Sequence, residues 1–196
     1  MEQQTVLFIG PQGSGKGTQV QNLIAYLKEH DNERPVMDVE TGRLFRALAE
    51  TGNATAQFVK DLVDAGKPVP DFVTNSFVMA DFRDRYTPEC HITLDGFPRN
   101  AEQAAFLDQI FSLYGRTDMT IVYLETPEDV VRQRMMARGR HDDTEEKITE
   151  RLRWSTEMMN GLVAYYQERS HTEFITVDGS KTIEEVQTAI KDGLGI

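Results

Sequence analysis

Spaced glycines, a lysine and a hydroxyl stand together near the start of this chain, in Gly10-Pro11-Gln12-Gly13-Ser14-Gly15-Lys16-Gly17-Thr18. The apolar run Val6-Leu7-Phe8-Ile9 leads straight into them, so the stretch reads as strand, loop, helix. Such a loop aims successive backbone N–H groups inward, and the helix N-terminus that follows adds partial positive charge, which together suit a phosphate. Lys16 is then placed to reach the β- and γ-phosphates of a nucleoside triphosphate, and the Thr18 hydroxyl to face Mg²⁺. The pattern departs from strict G-x-x-x-x-G-K-[ST], because Gly17 follows the lysine and the hydroxyl comes one residue later. An ordinary glycine-rich turn is the bland alternative. The agreement of glycines, lysine, hydroxyl and preceding strand favours phosphate binding over it.

A second constellation is Ile92-Thr93-Leu94-Asp95-Gly96-Phe97-Pro98-Arg99, a buried strand that ends in an acid. An aspartate at the carboxyl end of a strand beside a phosphate loop is suited to hold Mg²⁺ through water. Read alone, Asp95-Gly96 is a turn; read with Lys16, it is a metal position. Arg99 is a phosphate donor type, because a guanidinium makes bidentate contacts and keeps its charge. Further on, Arg132, Arg134, Arg138, Arg140, Arg151 and Arg153 fall within 22 residues of an otherwise acidic chain. Some of these belong to a helix face laced with Glu128, Asp129, Glu145, Glu146 and Glu150, and Arg132 and Arg153 are assigned to it. Arg140 and Arg151, 11 positions apart, are expected to share a helix face.

The elements that must position these groups are legible in the periodicity. Val6–Ile9, Ile92–Leu94, Ile121–Leu124 and Phe174–Val177 are short β-rich runs, with Pro35-Val36-Met37 a weaker fifth. Helical spacing covers about 16–29, 42–50, 55–65, 71–85, 100–113, 127–138, 143–168 and 181–192. Strands alternating with helices predict an α/β fold, a parallel five-stranded sheet flanked by helices, with ligands at the carboxyl edge. Thr126-Pro127-Glu128 is expected to start a helix, with Thr126 as cap and Pro127 first. Asp142-Asp143 are expected to cap the helix beginning near Thr144. Residues 41–85 hold three helical segments and no strand, more than a crossover needs, so a helical insertion is expected there. Residues 138–142 are a short charged connector.

Composition bounds the partners. One sizeable core fits 196 residues, and no apolar run approaches a membrane span. A formal net charge of −11 argues against a nucleic-acid polymer but not against small phosphorylated molecules. The N-terminus lacks a basic leader and the lone Cys90 fits a reducing compartment, so a soluble cytoplasmic protein is expected. His30, His91, His141 and His171 show no metal-ligand spacing, and the Tyr165-Tyr166, Met135-Met136 and Met158-Met159 pairs read as core.

Set in order, the motifs form a pattern. Gly10–Thr18 with Gln19, Thr41-Gly42-x-x-x-Arg46, Gly66-Lys67-Pro68-Val69-Pro70, Asp95-Gly96-Phe97-Pro98-Arg99-x-x-x-Gln103, Arg140-x-Asp142-Asp143 with Arg151, Tyr165-Tyr166 and Val177-Asp178-Gly179-Ser180-Lys181 together resemble adenylate kinase over nearly the whole chain. The resemblance implies a P-loop NTPase-type core (1–40, 71–137, 143–196), a monophosphate-binding insertion (41–70) and a stub lid (138–142). It implies phosphoryl exchange between ATP·Mg²⁺ and AMP to give two ADP. Gly13, Ser14, Gly15, Lys16, Gly17 and Thr18 would then cradle ATP phosphates, with Thr18 and Asp95 toward Mg²⁺. Arg134 and Arg138 would flank ATP, and Gly179 and Lys181 would touch its adenine. Thr41, Arg46, Lys67, Pro68, Val69, Gly96, Phe97, Arg99 and Gln103 would form the AMP site, and Arg138, Arg140 and Arg151 would surround the moving phosphoryl. Zinc is not expected, since the four lid cysteines of some relatives have no counterpart. A monomer is expected.

Thr41 and the Arg99-to-Gln103 spacing follow the adenine-selecting form, whereas Asn100 leans toward the pyrimidine kinases. Gln12 stands where a glycine is usual, and Arg43 where an acid is usual, reversing a charge expected beside the monophosphate. The lid is short enough, with only Gly139 between Arg138 and Arg140, to predict some leakage of ATP to hydrolysis or a weaker ATP affinity.

Overall fold

The computed structural model describes residues 1–116, 118–137, 144–169 and 172–196. Five strands, β1 (Thr5–Ile9), β2 (Val36–Glu40), β3 (His91–Asp95), β4 (Met119–Glu125) and β5 (Thr172–Asp178), form one sheet in the order β2-β3-β1-β4-β5. All neighbouring pairs are parallel. The expected fifth strand is therefore present but longer than Pro35–Met37. It runs on to Glu40, opposite Asp95 in the register.

The helices are α1 (Lys16–His30), α2 (Thr41–Glu50), α3 (Ala54–Asp64), α4 (Asp71–Arg85), α5 (Ala101–Tyr114), α6 (Glu128–Ala137), α7 (Glu145–Gln167) and α8 (Ile183–Leu194). The period-2 alternation of β1 divides the core. Leu7 and Ile9 pack with Val78 and Phe82 of α4, Leu107 and Phe111 of α5, and Leu162 and Tyr166 of α7. Val6 and Phe8 pack on the opposite face with Val20, Leu23 and Leu27 of α1 and Val186 and Ile190 of α8. Both faces are covered, as a parallel sheet requires. Truncating a fully buried centre such as Leu7 to alanine costs about 2–5 kcal/mol.

β1 lies between β3 and β4, so the chain leaves β1 where the strand order reverses. The crevice at that switch point is where open α/β sheets take ligands, and the Gly10–Gly15 loop sits at its mouth. Helices α2 and α3 carry a small apolar cluster of their own, Leu48, Ala56 and Val59 with Val69, against which Phe45, Val73 and Phe77 pack.

Three helix starts are set by local hydrogen bonds. Thr144 caps α7, its Oγ1 accepting from Lys147 N–H at 3.4 Å, while the expected Asp142-Asp143 cap lies outside the described residues. Thr126 Oγ1 is buried with no hydrogen-bond partner and caps nothing; α6 opens with Val131 N–H on the Pro127 carbonyl at 3.0 Å, so Pro127 precedes the helix. Asn100 caps α5, its Oδ1 accepting from Gln103 N–H at 2.8 Å while its Nδ2 donates to Asp71.

Candidate active site

The loop between β1 and α1 turns through Gly10, Gly13 and Gly15 at φ +151°, +89° and +102°. L side chains avoid these conformations. A Cβ on Gly10 would stand 2.8 Å from the Leu124 carbonyl, and one on Gly13 2.8 Å from Met135 Cγ and 3.1 Å from the Val131 carbonyl. The loop is therefore pressed onto β4 and α6. No described non-glycine residue has positive φ, so Gln12 sits in backbone that any residue adopts. Lys16 opens α1 and its Nζ donates to the Gly10 and Pro11 carbonyls at 2.7 and 2.8 Å, which holds its charge at the mouth of the loop.

Asp95 ends β3 facing the start of α1; a Cβ on Gly17 would lie 3.6 Å from its Oδ2. Burial pushes its carboxyl above the ordinary aspartate range, against the opposing pull of Lys16 and Arg99. Two more acids share this edge. Asp38 accepts from Thr93 Oγ1 at 3.1 Å and is also pushed up by burial. Glu40 pairs with Arg46 at 3.0 Å.

Thr41, the first residue of α2, is 1% exposed. Its hydroxyl donates to the Gly96 carbonyl at 3.1 Å and accepts from Arg99 Nη2 at 3.4 Å. Arg99 Nε donates to the same Gly96 carbonyl at 2.8 Å. Burial pulls the Arg99 guanidinium below its ordinary value and Asp95 pulls it back. Behind it, the Gln103 amide oxygen accepts from Arg99 N–H at 2.8 Å and its Nε2 donates to Asp71 Oδ1 at 2.7 Å. Gln103 is buried and fully engaged in this arrangement.

The arginines divide as chemistry suggests. Arg132 pairs with Glu128 and Glu145, and Arg153 with Glu150, so both belong to the salt-bridged helix faces. Arg134 crosses to the loop, with Nη1 donating to the Gly179 carbonyl at 2.7 Å and the Ser14 carbonyl at 3.2 Å. Arg151 is 5% exposed and reaches the Val63 carbonyl at 3.4 Å. Arg138, Arg140 and the 138–142 connector lie outside the described residues, and with them the helix face expected to be shared by Arg140 and Arg151. Arg43 is a correction. It does not face the cleft; its Nη2 binds Asp81 at 2.9 and 3.1 Å and the Asp38 carbonyl at 3.2 Å, and Arg85 joins the same Asp81. Its guanidinium is turned to Asp81, on a partly exposed face shared with Arg85.

One cleft of about 1220 Å³ gathers most of the expected residues. Gly13, Gly15, Lys16, Gly17 and Thr18 line it with Arg134, which is bonded across the loop; Thr41, Arg46, Lys67 and Val69 line it too, as do Asp95, Gly96, Arg99 and Arg151. Ser14 and Phe97 are buried behind it, Pro68 and Gln103 stand outside its lining, and the Phe97-Pro98 peptide is cis. Gly179 meets the site through Arg134, and Lys181 pairs loosely with Asp178 at 3.9 Å. The sequence reading missed Asp38, Glu40, Trp154, Met158 and Met159 in the lining. Trp154 alone left a signal, as the single tryptophan three residues after Arg151. Among the described residues no cluster of three or more His, Cys, Asp or Glu is arranged to hold a metal, and no helix is long and apolar enough to cross a membrane.

A glycine loop at the switch point of a parallel sheet, a lysine at the head of its helix and an acid on the neighbouring strand define a nucleoside-phosphate-binding P-loop fold. Comparison narrows the class. The family model described as Adenylate kinase matches residues 8–171. The chain is 38% identical over 191 residues to a protein named Adenylate kinase from Rhodococcus erythropolis, covering 97% of this chain and 98% of that one. It is 34% identical over 190 residues to Adenylate kinase 1 of a Nostoc species, with the same coverage, and 33% identical over 189 residues to Adenylate kinase of Leuconostoc mesenteroides, covering 96% of each. The chain belongs to the adenylate kinase family.

Proposed function

We infer that this protein catalyses reversible phosphoryl transfer from ATP to AMP, giving two ADP. The observation that carries the reading is that the glycine loop with Lys16, the Thr41, Arg46, Lys67 and Val69 wall, and Arg99, Arg134 and Arg151 all line one cleft. Such a transfer has a loose transition state with charge spread over the moving oxygens, so positioned cations do most of the work. No general base is required, because the attacking phosphate oxygen is already anionic at neutral pH.

In this reading Gly13 through Thr18 cradle the ATP phosphates and Arg134 flanks the nucleotide beside Gly179 and Lys181. Thr41, Arg46, Gly96 and Arg99 take the AMP side, with Lys67, Pro68 and Val69 as its wall and Phe97 and Gln103 supporting it. Lys16, Arg99 and Arg151 neutralise the transferring phosphoryl, with Arg138 and Arg140 assigned beside them from sequence. Mg²⁺ arrives with ATP and supplies charge neutralisation of its phosphates. A buried carboxyl held up by desolvation and facing the first turn of α1 fits such a cation, so Asp95 and Thr18 would hold it, largely through water.

The domain division proposed is a core of 1–40, 71–137 and 143–196, a monophosphate-binding insertion of 41–70 and a lid of 138–142. The separate apolar cluster of α2 and α3 supports the insertion. Single-cysteine usage and the lack of heptads support a cytoplasmic monomer whose partners are ATP, ADP and AMP. The short lid supports measurable loss of ATP to water.

The test is ADP formation from ATP and Mg²⁺ with AMP, UMP, CMP or GMP as acceptor. Turnover with AMP far above the others is expected. Preference for UMP or CMP would overturn the acceptor, and ATP binding without transfer to any of them would overturn catalysis.

A further inference from the structure

The C-terminal end of α3 is held on one face of α7. Gly66 N–H bonds to the Val63 carbonyl at 3.0 Å and Lys67 N–H to the Leu62 carbonyl at 2.9 Å, the paired bonds of a helix C-cap with glycine in the left-handed position. Carbonyls at a helix C-terminus carry partial negative charge and take outside donors. Helix α7 supplies two. Trp154 Nε1–H donates to the Gly66 carbonyl at 2.8 Å, and Arg151 Nη2 to the Val63 carbonyl at 3.4 Å. A Cβ on Gly66 would also stand 3.7 Å from the Lys147 carbonyl. Positions 147, 151 and 154 form an i, i+4, i+7 stripe, so one helix face receives the whole cap.

We propose that Trp154 is a positioning residue for the acceptor nucleotide, pinning the 66–69 loop to α7 and so setting the acceptor wall at a fixed distance from Arg151. The inference rests on the reading of that wall as the AMP side. Two observations separate it from ordinary packing. Lys67 and Val69, which follow the pinned carbonyl, line the cleft, and so does Trp154 itself. The apolar cluster of α2 and α3 is closed by Val69 and packed by Val73 and Phe77 of α4, so losing the indole bond loosens the turn at Gly66–Pro68 without dissolving the helices. An indole N–H is a donor only, and it is matched here to an acceptor that no helical N–H takes.

The experiment compares Trp154→Phe, which keeps a ring and removes the N–H, with the unsubstituted protein. KM for AMP is expected to rise about three- to ten-fold, the loss of one neutral hydrogen bond. KM for ATP and kcat at saturating AMP are expected to stay within about two-fold. A purely structural tryptophan would lower Tm and leave both KM values unmoved. Trp154 is the only tryptophan, so emission of the unsubstituted protein gives a second reading: AMP alone should shift it and ATP alone should not. An unchanged KM for AMP, an equal rise in both KM values, or an emission change with ATP as large as with AMP overturns the inference. If the unsubstituted protein turns over no AMP, the function reading has failed by itself. The emission response to each monophosphate then decides Trp154, and silence to all of them overturns this inference too.

Discussion

Thr41 packs so closely on Gly96 that a Cβ built on the glycine would stand 2.6 Å from the threonine hydroxyl. That hydroxyl ties the first turn of α2 to the loop after β3 through the Gly96 carbonyl, across 55 positions of sequence. Gly96 also has φ +76°, so two independent restraints exclude a side chain. Gly96→Ala is expected to lose about 1–3 kcal/mol from backbone strain alone and to raise KM for AMP more than KM for ATP. Denaturation midpoints and the two KM values check this; equal effects on both nucleotides would contradict the assignment of Thr41 to the acceptor side.

Lys16 bridges the Gly10 and Pro11 carbonyls while holding its charge toward the cleft. Replacing it with methionine keeps the stem and removes the cation. Turnover is expected to fall by about 10²–10³ or more, as for loss of a transition-state donor, with the far-UV circular dichroism unchanged. Retained turnover would remove Lys16 from the mechanism.

Gln103 joins Arg99 N–H to Asp71 through both ends of its amide. Gln103→Leu keeps volume and strips both bonds from half-buried partners, a cost of about 1 kcal/mol or more in all. Tm should fall, and Arg99, whose backbone loses its acceptor, should bind the acceptor phosphate less well. A variant with unchanged Tm would show that the amide is not engaged as described.

His91 gives a pH dependence away from the cleft. It is fully buried; its Nδ1 accepts from Gln4 N–H at 3.0 Å, which leaves the proton on Nε2, 3.4 Å from Asp31 Oδ2. Burial lowers its pKa from 6.5, with Asp31 opposing. The unfolded chain therefore binds the proton more tightly than the folded one. The stability due to His91 is complete above about pH 6.5 and is lost as pH falls through the lower folded value, with a slope of at most about 1.4 kcal/mol per pH unit. Urea unfolding between pH 7.5 and 5 should show that slope, and His91→Gln should flatten it. An identical slope in both proteins would assign the effect elsewhere.

Much of this fold is visible in one dimension. Short β-branched runs and intervening helical periods located the five strands and eight helices because burial on both sheet faces imposes an unbroken apolar run, and a covered helix an apolar stripe. Differences arise where competing local chemistry decides: Thr144 caps α7, Thr126 caps nothing, and β2 runs three residues past Met37 to bring Asp38 and Glu40 to the edge. A sequence period carries no information on which of several adjacent polar residues turns back to the helix end.

The sequence by itself determined the phosphate loop, the acid after it and the supply of arginines, because backbone turns and helix starts depend on neighbours a few positions apart. Which polar group meets which partner was decided only by the tertiary structure. Arg43 found Asp81, Gln103 found Asp71 and Trp154 found Gly66 across 38, 32 and 88 positions. Those pairings depend on how α4, α5 and α7 pack around the sheet. Spacing along the chain contains the helices but not the angles at which they meet.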